Sequence, residues 1–117
     1  MIKIQNTKKG VRIIMNEKQY RVEIMFHNNF EDIDIELASG DFCEPMLEDI
    51  QDINTTKQLI YYLSEIFGDS LYEFMDQELL DVLEEIELED ISDVKIIDVE
   101  ENLTYYINPQ RKTIDIE

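Results

Sequence analysis

The spacing of apolar residues changes twice along this chain, and that change constrains the fold more than any single motif does. Up to about Ser39 apolar and polar residues alternate over short runs, the pattern of a strand with one buried face. After Ser39-Gly40-Asp41 the period lengthens towards 3.6, and from Val94 onward the alternation returns. A chain written this way places strands first, helices next and strands last.

Ile2 to Gln5, Val11 to Met15, Tyr20 to Phe26 and Ile33 to Ala38 read as four strands. Thr7-Lys8-Lys9-Gly10, Asn16-Glu17-Lys18-Gln19 and His27-Asn28-Asn29 separate them, and loops this short favour an antiparallel meander. Val94 to Val99, Leu103 to Ile107 and Thr113 to Ile116 supply three more, with turns at Glu100-Glu101-Asn102 and Asn108-Pro109-Gln110-Arg111.

Between the two strand regions, Pro45 suits the first position of a short helix on which Met46, Leu47, Ile50 and Ile53 share a face. Thr55 with Gln58 has the form of a capping box, Leu59, Ile60, Leu63, Ile66 and Phe67 make an apolar stripe, and Gly68 ends that helix. Ser70 with Glu73 repeats the start signal. A long helix is expected from about Ser70 to Glu87, because Leu71, Met75, Leu79, Val82, Leu83 and Ile86 recur every three to four residues. The expected fold is one α+β domain over residues 1–117. Its mainly antiparallel sheet, an N-terminal meander plus C-terminal strands, packs against two or three amphipathic helices.

Cys43 is the single cysteine, so no internal disulfide forms and a reducing, cytoplasmic setting is expected, with the thiol buried. The lysines near Met1 are followed by no apolar run of leader length, and nothing approaches a membrane span, so no membrane association is expected.

Charge is distributed unevenly. The formal net charge is −18, yet residues 1–21 carry six basic residues against Glu17 alone, a net of +5. Residues 22–94 hold 22 acidic residues against Lys57, a net of −21. Direct contact with nucleic acid through that acidic middle would be repulsive.

Catalytic signals are sparse. His27 is the one histidine and sits in a turn beside Asn28 and Asn29, where an exposed loop position is expected. The run Asp32-Ile33-Asp34-Ile35-Glu36 begins like a calcium loop. Leu37 and Cys43 then stand where that loop requires glycine and glutamate, so the alternation marks a strand instead. Gly10, Gly40 and Gly68 are too far apart to form a phosphate-cradling loop. No enzyme, cofactor or metal site is expected.

A dense carboxylate surface has an energetic cost, since like charges three or four apart weaken a helix. Use as a polyanion surrogate is the reading that fits: Asp32, Asp34 and Glu36 would repeat about every 6.8 Å along a strand. Glu48, Asp49 and Asp52 on the short helix, and Glu73, Asp76, Asp81, Glu84, Glu85 and Glu87 on the long one, would add rows. The expected partner is a basic protein, a nucleic-acid-binding enzyme above all, blocked by DNA or RNA mimicry.

In size, charge and lack of catalytic signatures the chain resembles the acidic inhibitors that phages make against host defences, among them DNA-mimic anti-restriction and anti-CRISPR proteins. The resemblance implies a stoichiometric inhibitor and assigns no residue a role. Two other readings stay open. One is an immunity protein that neutralises a basic toxin nuclease. The other is an adaptor or structural subunit whose acidity serves solubility and whose Tyr61, Tyr62, Tyr105 and Tyr106 meet a fixed partner.

Overall fold

The computed structural model describes the backbone at residues 2–7 and 10–15, and all atoms at 18–27 and 31–117. It has the α+β architecture that the change of period predicts. Strands β1 (Ile2–Thr7) and β2 (Gly10–Met15) form an antiparallel pair, with Ile2 opposite Met15 and Thr7 opposite Gly10.

The main sheet has five antiparallel strands in the order β4-β3-β5-β6-β7, from β3 (Lys18–Phe26), β4 (Ile33–Ser39), β5 (Ile91–Asp98), β6 (Leu103–Asn108) and β7 (Thr113–Ile116). Consecutive pairing therefore holds within β1–β2 and β3–β4 but not across β2–β3. The place beside β3 is taken by β5, which returns after the helices and sets Ile96 opposite Val22 and Val94 opposite Ile24. All four residues are fully buried, so the long-range pairing covers apolar surface that a β2 neighbour would have to match.

Alternation along β3 and β4 turns Tyr20, Val22, Ile24, Ile33, Ile35 and Leu37 inward, where Leu59, Ile60, Leu63 and Phe67 complete one core. The sheet's other face stays partly open. On it the register aligns Asp34, Glu23, Lys95, Tyr106 and Asp115 across all five strands.

Three helices cover the inner face. Helix α1 (Leu47–Ile50) is one turn long and drops Ile50 into the core. Helix α2 (Thr56–Phe67) begins with the capping box foreseen at Thr55 and Gln58. It ends at Gly68, whose φ of 69° lets the Gly68 and Asp69 N–H groups donate to Glu65 and Ser64 carbonyls. Helix α3 (Gln77–Glu85) departs from expectation. The single helix from Ser70 to Glu87 is broken: Ser70 makes no side-chain cap, Leu71–Phe74 forms a short 3-10 turn, and Met75 is extended. Asp76 then starts a new helix, its carboxylate accepting the Leu79 N–H at 2.9 Å. Aspartate favours such a cap over a helix interior, so the chain takes a boundary where periodicity alone suggests continuity.

Candidate docking surface

Helix α2 organises the helical layer. At about 100° per residue its exposed arc carries Lys57, Gln58, Tyr61 and Glu65, while its two flanks meet different neighbours. On one flank the Thr56 hydroxyl donates to the Ile86 carbonyl at 2.8 Å, and Ser64 Oγ accepts the Leu71 N–H at 3.0 Å. On the other, Tyr62 Oη accepts the Met46 N–H at 3.1 Å. Thus α2 lies between α1 and the segment that carries α3.

Across this layer the carboxylates stand outward. Glu48, Asp49 and Asp52 are exposed on and just after α1; Asp81, Glu84 and Glu85 are exposed on α3. Glu73 sits on the 3-10 turn, Asp76 at the α3 cap and Glu87 past the end of α3, so these three share no helix face with the others. Between Leu47 and Asp90 the sequence has fourteen acidic residues against Lys57, a net of −13.

The strand carboxylates belong to a different surface. Asp34 and Glu36 project from the open face of β4, with Asp32 exposed just before it. Arg21 lies beside them, 2.5 Å from Asp34 and 3.9 Å from Glu36, and these neighbours raise its pKa, the Asp34 hydrogen bond most. Helix α1 sits by β7, where Gln51 Nε2 donates to the Lys112 carbonyl and Lys112 Nζ donates to the Ile53 carbonyl. Four strand spacings of about 4.8 Å separate the β4 and β7 edges, roughly 19 Å, so strand and helix acids do not form one continuous array.

Three of the described basic residues, Lys18, Arg21 and Lys95, stand on strands of the main sheet. Lys18 pairs with Glu101 at 3.1 Å and Asp98 at 3.8 Å, and the Glu101 hydrogen bond is the main cause raising its pKa. Lys95 lies over the Tyr106 ring at 5.6 Å. Lys3, Lys8, Lys9 and Arg12 fall outside the residues whose side chains are described.

Apolar groups interrupt the acidic helical layer. Tyr61 is 65% exposed, Leu47 56% and Met46 54%. Tyr62 is half-buried; burial raises its pKa, the Met46 N–H opposes the shift, and nearby Asp49 and Glu65 add to it. Tyr105 is buried and its hydroxyl donates to Glu44 at 3.2 Å; burial first and Glu44 second push its pKa to about 12. Of the four tyrosines raised as contact residues, only Tyr61 stands free of the fold, with Tyr62 and Tyr106 partly covered.

A groove of about 780 Å³ runs between the start of α2, Tyr72, α3 and the Ile86–Glu89 segment. A shallower recess of about 650 Å³ lies at the opposite end of the sheet, among Lys18, Ser39, Glu44, Asp98 and Tyr105.

His27 is exposed at the end of β3, its N–H donating to the Asp90 carbonyl. The expected burial of Cys43 is overturned. Its backbone N–H bonds to the Ile66 carbonyl, which fixes the loop against the end of α2 while the side chain turns to solvent. Among the described residues no group of three His, Cys, Asp or Glu side chains is arranged to hold a metal, and no helix is long and apolar enough to cross a membrane.

No family model, no curated protein and no solved structure matches this chain. The acidic surface is therefore the feature that bears on function. Glu65, Glu78 and Glu89 join it although they were not singled out by the sequence. The 3.6 period of α2 was signal enough for Glu65, four residues after Tyr61, whereas Glu89 gains meaning only from the groove.

Proposed function

We propose that this is an acidic binding protein that occupies a basic, nucleic-acid-binding protein and blocks it by offering carboxylates where that partner receives phosphates. Its action is stoichiometric, without a catalytic step, and its setting is the cytoplasm. The observation that carries the reading is the helical layer from α1 to α3, whose segment Leu47–Asp90 exposes many acids and has Lys57 as its one base. A basic groove would be drawn to such a surface by long-range steering and held by interactions that weaken with salt. A nucleic-acid enzyme of a host defence system, met by a phage-encoded inhibitor, is the partner class this chemistry fits best. A toxin nuclease neutralised by an immunity protein would use the same electrostatics.

The second reading, an adaptor with a fixed protein partner, is favoured by one observation: Tyr61, Met46 and Leu47 are exposed large side chains on the same layer. The readings separate by mutation. Glu48→Lys, Asp49→Lys, Glu84→Lys and Glu85→Lys combined should abolish partner capture under the polyanion reading, whereas Tyr61→Ala should do so under the adaptor reading. Unchanged capture by the four-lysine variant sinks the polyanion proposal.

A further inference from the structure

We infer that the groove between α2 and α3 seats an apolar side chain from a lysine- or arginine-flanked peptide segment of the partner; this rests on the reading that the partner is basic. The groove exists because the helix expected over Ser70 to Glu87 breaks at Met75 and Asp76. Continuous helix would carry Leu79 and Val82 along the same stripe as Leu71 and Met75, which are buried. After the break Leu83 is the one buried residue of α3, and Leu79, Leu80 and Val82 remain only partly covered.

The floor that results is apolar. Ile60, Leu83, Ile86 and Leu88 are buried, with Leu80 and Tyr72 as half-buried walls. The volume of about 780 Å³ lies inside the range of roughly 300–1,000 Å³ typical of clefts that enclose a ligand. The rim has the opposite character: Glu84, Glu87 and Glu89 line it against Lys57. Glu87 is anchored through its backbone, its N–H donating to Asp90 Oδ2 at 3.1 Å and its carbonyl accepting the Asp90 N–H at 3.0 Å.

This combination selects its occupant. An anion is repelled by the rim, and a bare polycation leaves the apolar floor wet. A segment with an aliphatic or aromatic anchor between cations satisfies both, burying the anchor and pairing its flanks with the rim. The groove would thus fix register and specificity, while the wider acidic layer supplies steering.

The test uses the purified full chain and a short fluorescein-labelled peptide in which a leucine pair is flanked by lysines, read by fluorescence anisotropy. An alanine-for-leucine peptide of the same charge is the comparison. The leucine peptide should bind at least about tenfold more tightly than the alanine peptide, the difference one buried anchor makes. Leu80→Ser should erase that difference. Glu84→Gln with Glu89→Gln, both exposed and free of folding risk, should weaken binding of the leucine peptide and flatten its salt dependence. Asp32→Asn, Asp34→Asn and Glu36→Gln together should leave it unchanged. Equal affinity for the two peptides, still salt-sensitive, overturns the groove assignment and spares the acidic surface. Binding of neither peptide overturns both.

Discussion

If the acidic helical layer is retained for binding, it should carry a measurable cost in stability, and Asp81 is the place to find it. On α3 this residue has Glu78 three positions before it, Glu84 three after and Glu85 four after, all exposed. Each like-charged pair at that spacing costs about 0.2–0.5 kcal/mol, and an opposite-charge pair gains a similar amount. Asp81→Lys converts three repulsions into attractions. Against this, lysine placed before glutamate is the weaker orientation, and the Gln77 Nε2 to Asp81 Oδ1 hydrogen bond at 2.9 Å is lost. The net expectation is stabilisation by about 1 kcal/mol. For a chain of 117 residues that corresponds to a rise in Tm of about 4 °C. Urea unfolding at about 20 mM salt should show the gain, and at about 0.5 M salt most of it should vanish through screening. Asp81→Asn, which removes repulsion without adding attraction, should fall between. A destabilised lysine variant, or a gain indifferent to salt, would refute the electrostatic account of α3.

Other perturbations test the frame that presents the surface. Gly68→Ala forces an alanine into a φ of 69° and sets its Cβ 2.8 Å from Asp41 Cβ, so urea unfolding should show a loss of about 2–3 kcal/mol. Part of that loss should return in the Gly68→Ala, Asp41→Gly double variant. Thr55→Ala removes the acceptor for the Gln58 N–H and should cost about 1 kcal/mol in the same assay. Tyr105 has a folded pKa of about 12 against an ordinary value near 10, so the native chain holds that proton longer than the unfolded one. Its contribution is full below about pH 10 and is lost as pH rises towards 12, and Tyr105→Phe should flatten the fall in stability across that window.

Much of the fold was legible because period and punctuation agreed. The capping box at Thr55 and Gln58, the left-handed Gly68 and the alternation of Ile33, Ile35 and Leu37 are local signals, and the structure reproduces each. What local signals missed was non-local or competitive. The partner of β3 was set by how Val94 and Ile96 complete its buried face, which no short window of sequence displays. The break before α3 turned on whether Asp76 would act as a cap or continue the stripe, two outcomes that periodicity scores alike. The candidate surface was legible as a list of exposed acids but not as an arrangement. Only the strand order shows that Asp34 and Glu36 lie far from Glu48 and Asp49, with Arg21 beside the first pair. The groove was illegible for the same reason as the break that opens it.

The central claim is that exposed carboxylates hold a nucleic-acid-binding partner. Its most direct test is affinity capture with the full chain from a bacterial lysate at about 0.1 M and about 0.5 M salt, with and without added double-stranded DNA. The account predicts recovery of a nucleic-acid-binding protein at low salt that is lost at high salt and displaced by DNA. A partner retained at high salt and indifferent to DNA would contradict it.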